Sequence, residues 1–527
     1  MDEGDQMQTR SRLLLAVIVA LAVLSAAVLA ACGSEEATDE PADGNAKAGG
    51  TLTVSTATPA SLDPSIMADV GGITINHAVY EGLVYVDDTF EVHPLLATAW
   101  ESSADAKEWT FDLRADVTFS NGDEFDSGDV VYTFERLKDP DVGGPTVSLF
   151  EDVEVEAPSA DQVVFSLKTP NPEFPRDVGD YHAVMLSSTV TDPVKESVGT
   201  GPFILESYTA EDRAELTKNS AYWGKDDDGS QLPYLDSVKL VFTPEPASQV
   251  DALRAGEAQL VYNLPAEMVE PLKADPNVQV IEQTGNAFMQ IRMRCDKGRV
   301  AEDVRVRQAL KLGTKCDEIL QFARLGVGKV GNLTPVGPVY GDYYFDQAPV
   351  YDPDEAKRLL AEAGYGDGLS ITLYAMNYSS IPAIATTWKE QMKAIGVEVK
   401  IEVVPVDVWY GEGENSWLEA DFGITDWATR ATPVTYFNLN LVTDGAWNET
   451  KWSDPEFDEI VAQINAEMDV AKRTELYHEA QQILIDRGPT IVPYVENYPF
   501  GTASAVQGLE LTVPESAVRL RAVYLTK

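Results

Sequence analysis

LSITLY (residues 369–374), AIATTWKEQMKAI (383–395), Gly396 and VEVKIEVV (397–404) decide the fold. The first segment reads as a strand. The second reads as a helix stopped at Gly396, and the third alternates apolar and charged residues as a half-buried strand does. A strand, a helix and a strand at this spacing predict a right-handed crossover inside a partly parallel sheet.

Outward from that unit, helix signals punctuate the chain. Asp352-Pro353-Asp354-Glu355 opens one, with Asp352 at the N-cap, Pro353 at the first helical position and Glu355 as the reciprocal capping carboxylate. Ala356, Leu359, Leu360 and Ala363 share one face, and Gly364 is the expected stop. Ser453-Asp454-Pro455 starts another helix, and Ala471–Asp486 forms a third. Nearer the beginning, Thr51–Val54 and Trp109–Arg114 alternate as strands. Asp126 or Ser127 caps a helix that runs to Lys138 and ends at Asp139-Pro140. The fold class is therefore α/β, without internal repeats. At 527 residues the chain needs at least two lobes.

Charge narrows the partners. Against 39 basic residues stand 86 acidic ones, a formal net charge of −47. Such a field repels phosphate backbones and anionic headgroups, so nucleic acid and basic-patch membrane binding are excluded. It suits an exposed, soluble monomer. Three cysteines are too few for a disulfide scaffold, and the four histidines are scattered, so no metal site or cofactor is expected.

The first fifty residues address the compartment. Arg10 and Arg12 precede an uncharged apolar run, Leu13–Ala31, that closes on Leu29-Ala30-Ala31-Cys32. A basic start, an apolar middle and small residues at the cut describe a secretory signal over residues 1–31. The run is just long enough to span a bilayer, but it ends on small residues rather than a basic stop-transfer cluster. Asp2, Glu3 and Asp5 are foreign to such a signal, and initiation at Met7 would remove them. Residues 33–50, GSEEATDEPADGNAKAGG, hold no large apolar side chain and read as a flexible tether.

No catalytic constellation stands out. G-x-S-x-G, H-E-x-x-H, S-x-x-K and Walker A patterns are all missing, which leaves a secreted hydrolase as the weakest alternative. Lys225–Gly229 lacks the alternating ligands of a calcium loop.

An ordered set of segments resembles the family 5 solute-binding proteins, the dipeptide, oligopeptide and nickel-type receptors of ABC importers. It runs from Gly49–Val54 and Ser61–Pro64 through Val79–Val84, Pro94–Glu101, Trp109–Arg114, Asn121–Phe125 and Asp129–Phe134. It continues with Gly199–Phe203, Asn219–Gly224, Leu253–Glu257 and Val304–Leu310. The ending at Cys32 is similar to the bacterial lipobox, which implies that Cys32 is acylated and anchors the protein to the outer face of the cytoplasmic membrane. The resemblance implies a two-lobed periplasmic-binding-protein-like fold (type II, cluster C). Lobe I would cover 51–285, with a subdomain at about 90–198 inserted. Lobe II would cover 286–495, and 496–527 would return to lobe I. It implies capture of a small ligand, peptide by family, in a cleft between lobes and delivery to ABC permease subunits; a sensor or chaperone using the same cleft stays open.

Six of the nine tryptophans fall between Trp388 and Trp452. In the family's peptide receptors a strand ending in tryptophan leads to a loop aspartate that pairs with the peptide ammonium. Here that loop reads Trp427-Ala428-Thr429-Arg430-Ala431-Thr432-Pro433, one residue shorter, with Arg430 where the aspartate is expected. A guanidinium suits a carboxylate or phosphate instead, so an anionic or oligosaccharide ligand stands beside peptide, as do an opine-like anion and a metal chelate. Further candidate ligand contacts are Ser61 and Asp63, Asn286, Gln290 and Arg292 with its neighbour Arg294, and Asn332 and Thr334 in the Gly328–Pro338 loop. Cys295 and Cys316, on a strand and at the far end of the next helix, are expected to form a disulfide.

Overall fold

Val278–Met293 and Tyr494–Ala503 are the two strands around which the rest is arranged. They pair antiparallel from Val278↔Ala503 to Thr284↔Asn497, and the register then shifts before Phe288↔Val495. Gly285 sits in that shift. A Cβ there would lie 2.1 Å from the Tyr498 ring and 2.9 Å from the Glu496 carbonyl, so only glycine lets the two strands approach.

This computed structural model describes residues 49–413, 415–512 and 518–526. The signal segment, Cys32 and most of the tether lie outside the described residues. Among those described, no helix is long and apolar enough to cross a membrane.

The strand pair joins two halves of one twelve-stranded sheet. On one side Tyr494–Ala503 meets Leu260–Val261, which lies parallel to Thr51–Thr56. Ser237–Phe242, Arg213–Lys218 and Phe203–Thr209 follow outward. On the other side Met293 to Phe288 pairs antiparallel with Phe422–Trp427, and Leu369–Met376 and Val397–Val404 complete the edge. The last two strands are parallel in register Leu369↔Val397 to Met376↔Val404, and the helix Ile381–Lys393 connects them. It begins two residues before the sequence suggested, because Pro382 is well placed in a first turn. Gly396 turns the chain at φ 79°.

The capping signals act as read, with one exception. Asp126 and Asp129 close a capping box on Ser127–Leu137, Asp454 caps Pro455–Ile464, and Asp352 accepts from the Glu355 amide. Glu355 does not reciprocate. Its carboxylate is taken by Arg358, one turn on. Beyond Leu360 the helix widens into a π turn before Gly364, at φ 95°, ends it.

A separate antiparallel sheet, ordered Ala97–Ser102, Glu108–Leu113, Gln162–Leu167 and Val153–Ser159, carries its own aromatic core. Phe134 meets Phe165 at 4.8 Å and Phe150 at 5.0 Å between ring centroids. The hairpin Val84–Val86/Val92–Pro94 reaches elsewhere. At its tip Phe90 packs on Tyr340, in a cluster with Val336 and Tyr436.

The expected disulfide is not formed; both cysteines are free. Cys295 lies past the end of its strand, and its thiol donates back to the Met293 carbonyl at 3.2 Å. Cys316 opens the helix Cys316–Arg324 with its thiol in the core. Burial pushes the thiols up to about 11 and about 12 respectively.

Candidate functional site

The strand Phe422–Trp427 delivers Trp427 to the point where the chain leaves the sheet. Its indole is buried and stacks on Phe288, directly across the ladder, with centroids 6.4 Å apart and planes 11° from parallel. The following loop is held by two tyrosines. The Tyr436 hydroxyl accepts from the Arg430 amide at 2.9 Å and donates to the Ala428 carbonyl at 3.0 Å. The Tyr340 hydroxyl donates to the Arg430 carbonyl at 2.7 Å. Both tyrosines are buried, their hydroxyls lie 3.2 Å apart and Asn286 donates to Tyr436, so this backbone is held by a buried polar network.

At the strand end lies a cavity of about 430 Å³, in the size range of small-molecule sites. Trp417, Trp427, Trp447 and Tyr410 give it aromatic walls, and Arg430, Asp426 and Glu449 are its ionisable lining residues. The Arg430 guanidinium carbon lies 5.9 Å from the Trp427 ring and 6.0 Å from the Trp447 ring. No carboxylate among the described residues forms an ion pair with Arg430, and its buried Nε has no hydrogen-bond partner. Asp426 accepts from the Tyr410 hydroxyl at 2.5 Å.

Thr425 and Glu449, which also line the cavity, belong to a second polar group that runs behind its wall. Glu449 is fully buried and accepts from Gln290 at 2.5 Å and from Thr425 at 2.8 Å. Arg292, equally buried, faces it at 3.5 Å. Burial pushes the Glu449 carboxyl up, against the pull of Arg292. It pushes the Arg292 guanidinium down to about 10, against the pull of Glu449. Arg292 also donates to the Ala420 carbonyl and lies over Trp409.

Of the residues singled out from sequence, only Trp427 and Arg430 share the aromatic cavity. Gln290 and Arg292 belong to the buried group. Arg294 pairs with Asp296 and Glu419, each at 2.7 Å, and is not left to meet an anion. Asn286 is buried and ties the Pro335 carbonyl to Tyr436, a support for the loop. Asn332 donates to the Phe345 carbonyl and to Gln481, and Thr334 donates to Asn332. Ser61 accepts from the Asp63 amide, and Asp63 pairs with Arg136 at 2.5 Å, so both stabilise their own loop.

The sequence reading missed Thr425, Asp426, Glu449, Tyr410, Trp417 and Trp447. The tryptophan cluster was a signal for two of them. It did not separate Trp388, Trp409 and Trp452, which are core, from the three that line the cavity.

Across the strand pair a second cavity of about 410 Å³ is lined by Thr56, Asp69, Ile73, Gln249, Tyr262 and Tyr498, among others. The Tyr498 hydroxyl lies 3.1 Å from that of Thr429, which links this wall to the Arg430 loop.

Residues 91–449 match the family of bacterial extracellular solute-binding proteins, family 5. The chain is 29% identical over 443 residues to the dipeptide-binding protein of Escherichia coli K12, covering 77% of this chain and 81% of that one. A periplasmic binding protein of Helicobacter pylori, solved with the peptide STSA, superposes with a TM-score of 0.71 at 25% identity. That match covers 91% of this chain and 99% of the other. HbpA2 of Haemophilus parasuis superposes with a TM-score of 0.80 at 24% identity over 91% of this chain and all of that one. The mixed α/β chain has the two-lobed periplasmic-binding-protein fold of this family.

Proposed function

The chain belongs to the family 5 bacterial extracellular solute-binding proteins, and from that premise we propose that it captures a short peptide in the cleft beside Trp427 and hands it to the permease subunits of an ABC importer. The observation that carries this reading is the aromatic cavity at the end of a central strand, beside the pair of strands that joins the lobes. A peptide supplies apolar side chains for indole walls and charged termini for Arg430 and Asp426. Lobe I then comprises 51–285 with the subdomain at about 90–198, lobe II comprises 286–495, and 496–527 returns to lobe I. Closure bends the strand pair near Gly285.

The signal segment and Cys32 support a lipid anchor that leaves the folded body outside the cytoplasmic membrane, working as a monomer. Cys32→Ala is expected to release the protein into the medium or periplasm and to abolish its labelling by fatty acid.

One observation favours a second ligand class. Among the described residues no carboxylate pairs with Arg430, which suits an anionic ligand, sugar acids included. A thermal-shift screen of the full-length protein separates the two. Stabilisation by dipeptides supports peptide capture, with about 2.7 kcal/mol expected at a hundredfold excess over Kd. Stabilisation by organic anions or oligosaccharides, with none from peptides, rejects it.

A further inference from the structure

The short turn Pro338–Tyr343 holds the Arg430 loop in place, and the first half of the chain touches that turn at two points. Phe90, at the tip of the hairpin Val84–Val86/Val92–Pro94, is one of them. Its ring lies 4.8 Å from that of Tyr340 and is only 1% exposed. The helix Phe174–Val178 makes the second contact. Its Arg176 guanidinium carbon lies 5.7 Å from the Tyr343 ring, and Glu173, just before the helix, accepts from the Tyr477 hydroxyl at 3.2 Å. Tyr477 in turn packs on Tyr343, with centroids 4.4 Å apart.

The backbone is shaped for these contacts. Phe90 has φ 62°, a conformation that bulky side chains avoid, so the hairpin accepts strain to place this ring. Asp87 holds the bend. It accepts from the amides of Thr89 and Glu91 and from the Thr89 hydroxyl, and it pairs with His93 at 2.7 Å. Within the turn, Gly341 stands at φ 57° and ψ −128°, a region open in practice to glycine alone. From Tyr340 the path to the cavity is one hydrogen bond long. Its hydroxyl donates to the Arg430 carbonyl at 2.7 Å and lies 3.2 Å from that of Tyr436, which accepts from the Arg430 amide.

We propose that Phe90 is a positioning residue for the cavity, although it does not line it. By packing on Tyr340 it keeps the Tyr340 hydroxyl against the Arg430 carbonyl, and so sets where Arg430 stands in the cavity wall. Without that ring, Tyr340 gains rotamer freedom and its hydrogen bond to the loop weakens. On the lobe boundaries proposed above, Phe90 and Arg176 belong to lobe I and the turn to lobe II. The loop is therefore fully held only while the lobes are together. This role depends on the Arg430 loop and on no particular ligand, so it is tested without one and stands or falls apart from peptide capture.

Hydrogen–deuterium exchange of the ligand-free full-length protein, read by mass spectrometry over residues 428–432, makes the test. The Arg430 amide, bonded to Tyr436, is the reporter. Phe90→Gly removes the ring and suits the backbone of that position, so the hairpin bend is retained. Exchange over 428–432 is expected to quicken about fivefold or more in Phe90→Gly and to recover in Phe90→Leu. Tyr340→Phe lacks only the hydroxyl and is expected to quicken exchange likewise. Adding Phe90→Gly to Tyr340→Phe is then expected to change nothing further there, because both act through one bond. Wild-type exchange in Phe90→Gly overturns the proposal. Additive acceleration in the double variant overturns it too, as does equal acceleration at Leu369–Met376, which would mark general loosening. If Phe90→Gly fails to fold, Tyr340→Phe decides, and unchanged exchange in that variant overturns the role of the turn.

Discussion

Arg292 and Arg430 lie at opposite ends of one pair of strands, each beside a tryptophan, and they do opposite things. Arg292 sits mid-sheet with Glu449 at 3.5 Å, Trp409 beneath it and a carbonyl to donate to. Arg430 sits where the sheet stops, between two indoles, with no carboxylate. The charge of the first is answered within the protein. That of the second is presented to a cavity. Residue type alone does not mark a binding arginine, and buried nitrogens without hydrogen-bond partners occur on both; what marks Arg430 is its place on a cavity wall with no carboxylate among the described residues pairing with it.

Removing one member of the closed pair tests the comparison most severely. Glu449→Ala leaves Arg292 charged and buried and is expected to cost about 3–5 kcal/mol. Replacing both, Arg292→Met with Glu449→Leu, is expected to be near neutral or stabilising. Chemical denaturation measures both. A single-variant cost under about 1 kcal/mol would mean that the pair is not the closed unit described.

Asp177 sharpens the contrast, because it is a half-buried acid whose side chain accepts from an amide rather than from a guanidinium. Asn171 donates to it at 2.7 Å, and burial pushes its carboxyl up to about 7. An acid raised in the folded state holds its proton longer than in the unfolded chain. Stability is therefore lost as pH rises from about 4 to about 7, by about 4 kcal/mol at most. Asp177→Asn is expected to flatten the stability profile over that window. An unchanged profile would show that Asp177 is ionised throughout.

Arg430→Ala is expected to lower ligand affinity ten- to a hundredfold, about 1.4–2.8 kcal/mol. Its effect on stability should be within about 0.5 kcal/mol, because no internal partner is lost. A large loss of stability would place Arg430 with Arg292. The smallest effect belongs to exposed pairs such as Lys393 with Glu390, 2.6 Å apart, where removal should change stability by under about 0.5 kcal/mol.

These contrasts also explain what was legible in sequence. Elements specified by near neighbours could be read. The strand–helix–strand unit, the caps at Asp126, Asp352 and Asp454, and the turn at Gly396 each depend on residues within a few positions. Glu355 was misjudged because Arg358, three residues on, outcompetes the backbone for its carboxylate. Trp427 and Arg430 stood out because the loop resembles that of the family's peptide receptors, with an arginine where an aspartate is expected.

The rest depends on pairs distant along the chain. Gln290 and Arg292 looked like cleft residues because their partner, Glu449, lies more than 150 positions away, beyond any local pattern. A polar residue on a strand covered on both faces is more often part of a buried network than of a cleft. Asp426 gave no local sign, since Tyr410, which orients it, comes from another element. The disulfide failed for a related reason: two cysteines near in sequence were placed by different packing demands.

Phenylglyoxal labelling of the full-length protein, read residue by residue by mass spectrometry with and without a mixture of unmodified dipeptides, tests the central distinction most directly. Arg430 is expected to be modified in the free protein and protected by dipeptides, while Arg292 stays unmodified in both. Modification of Arg430 that dipeptides leave unchanged, or labelling of Arg292 in the folded protein, would contradict the account.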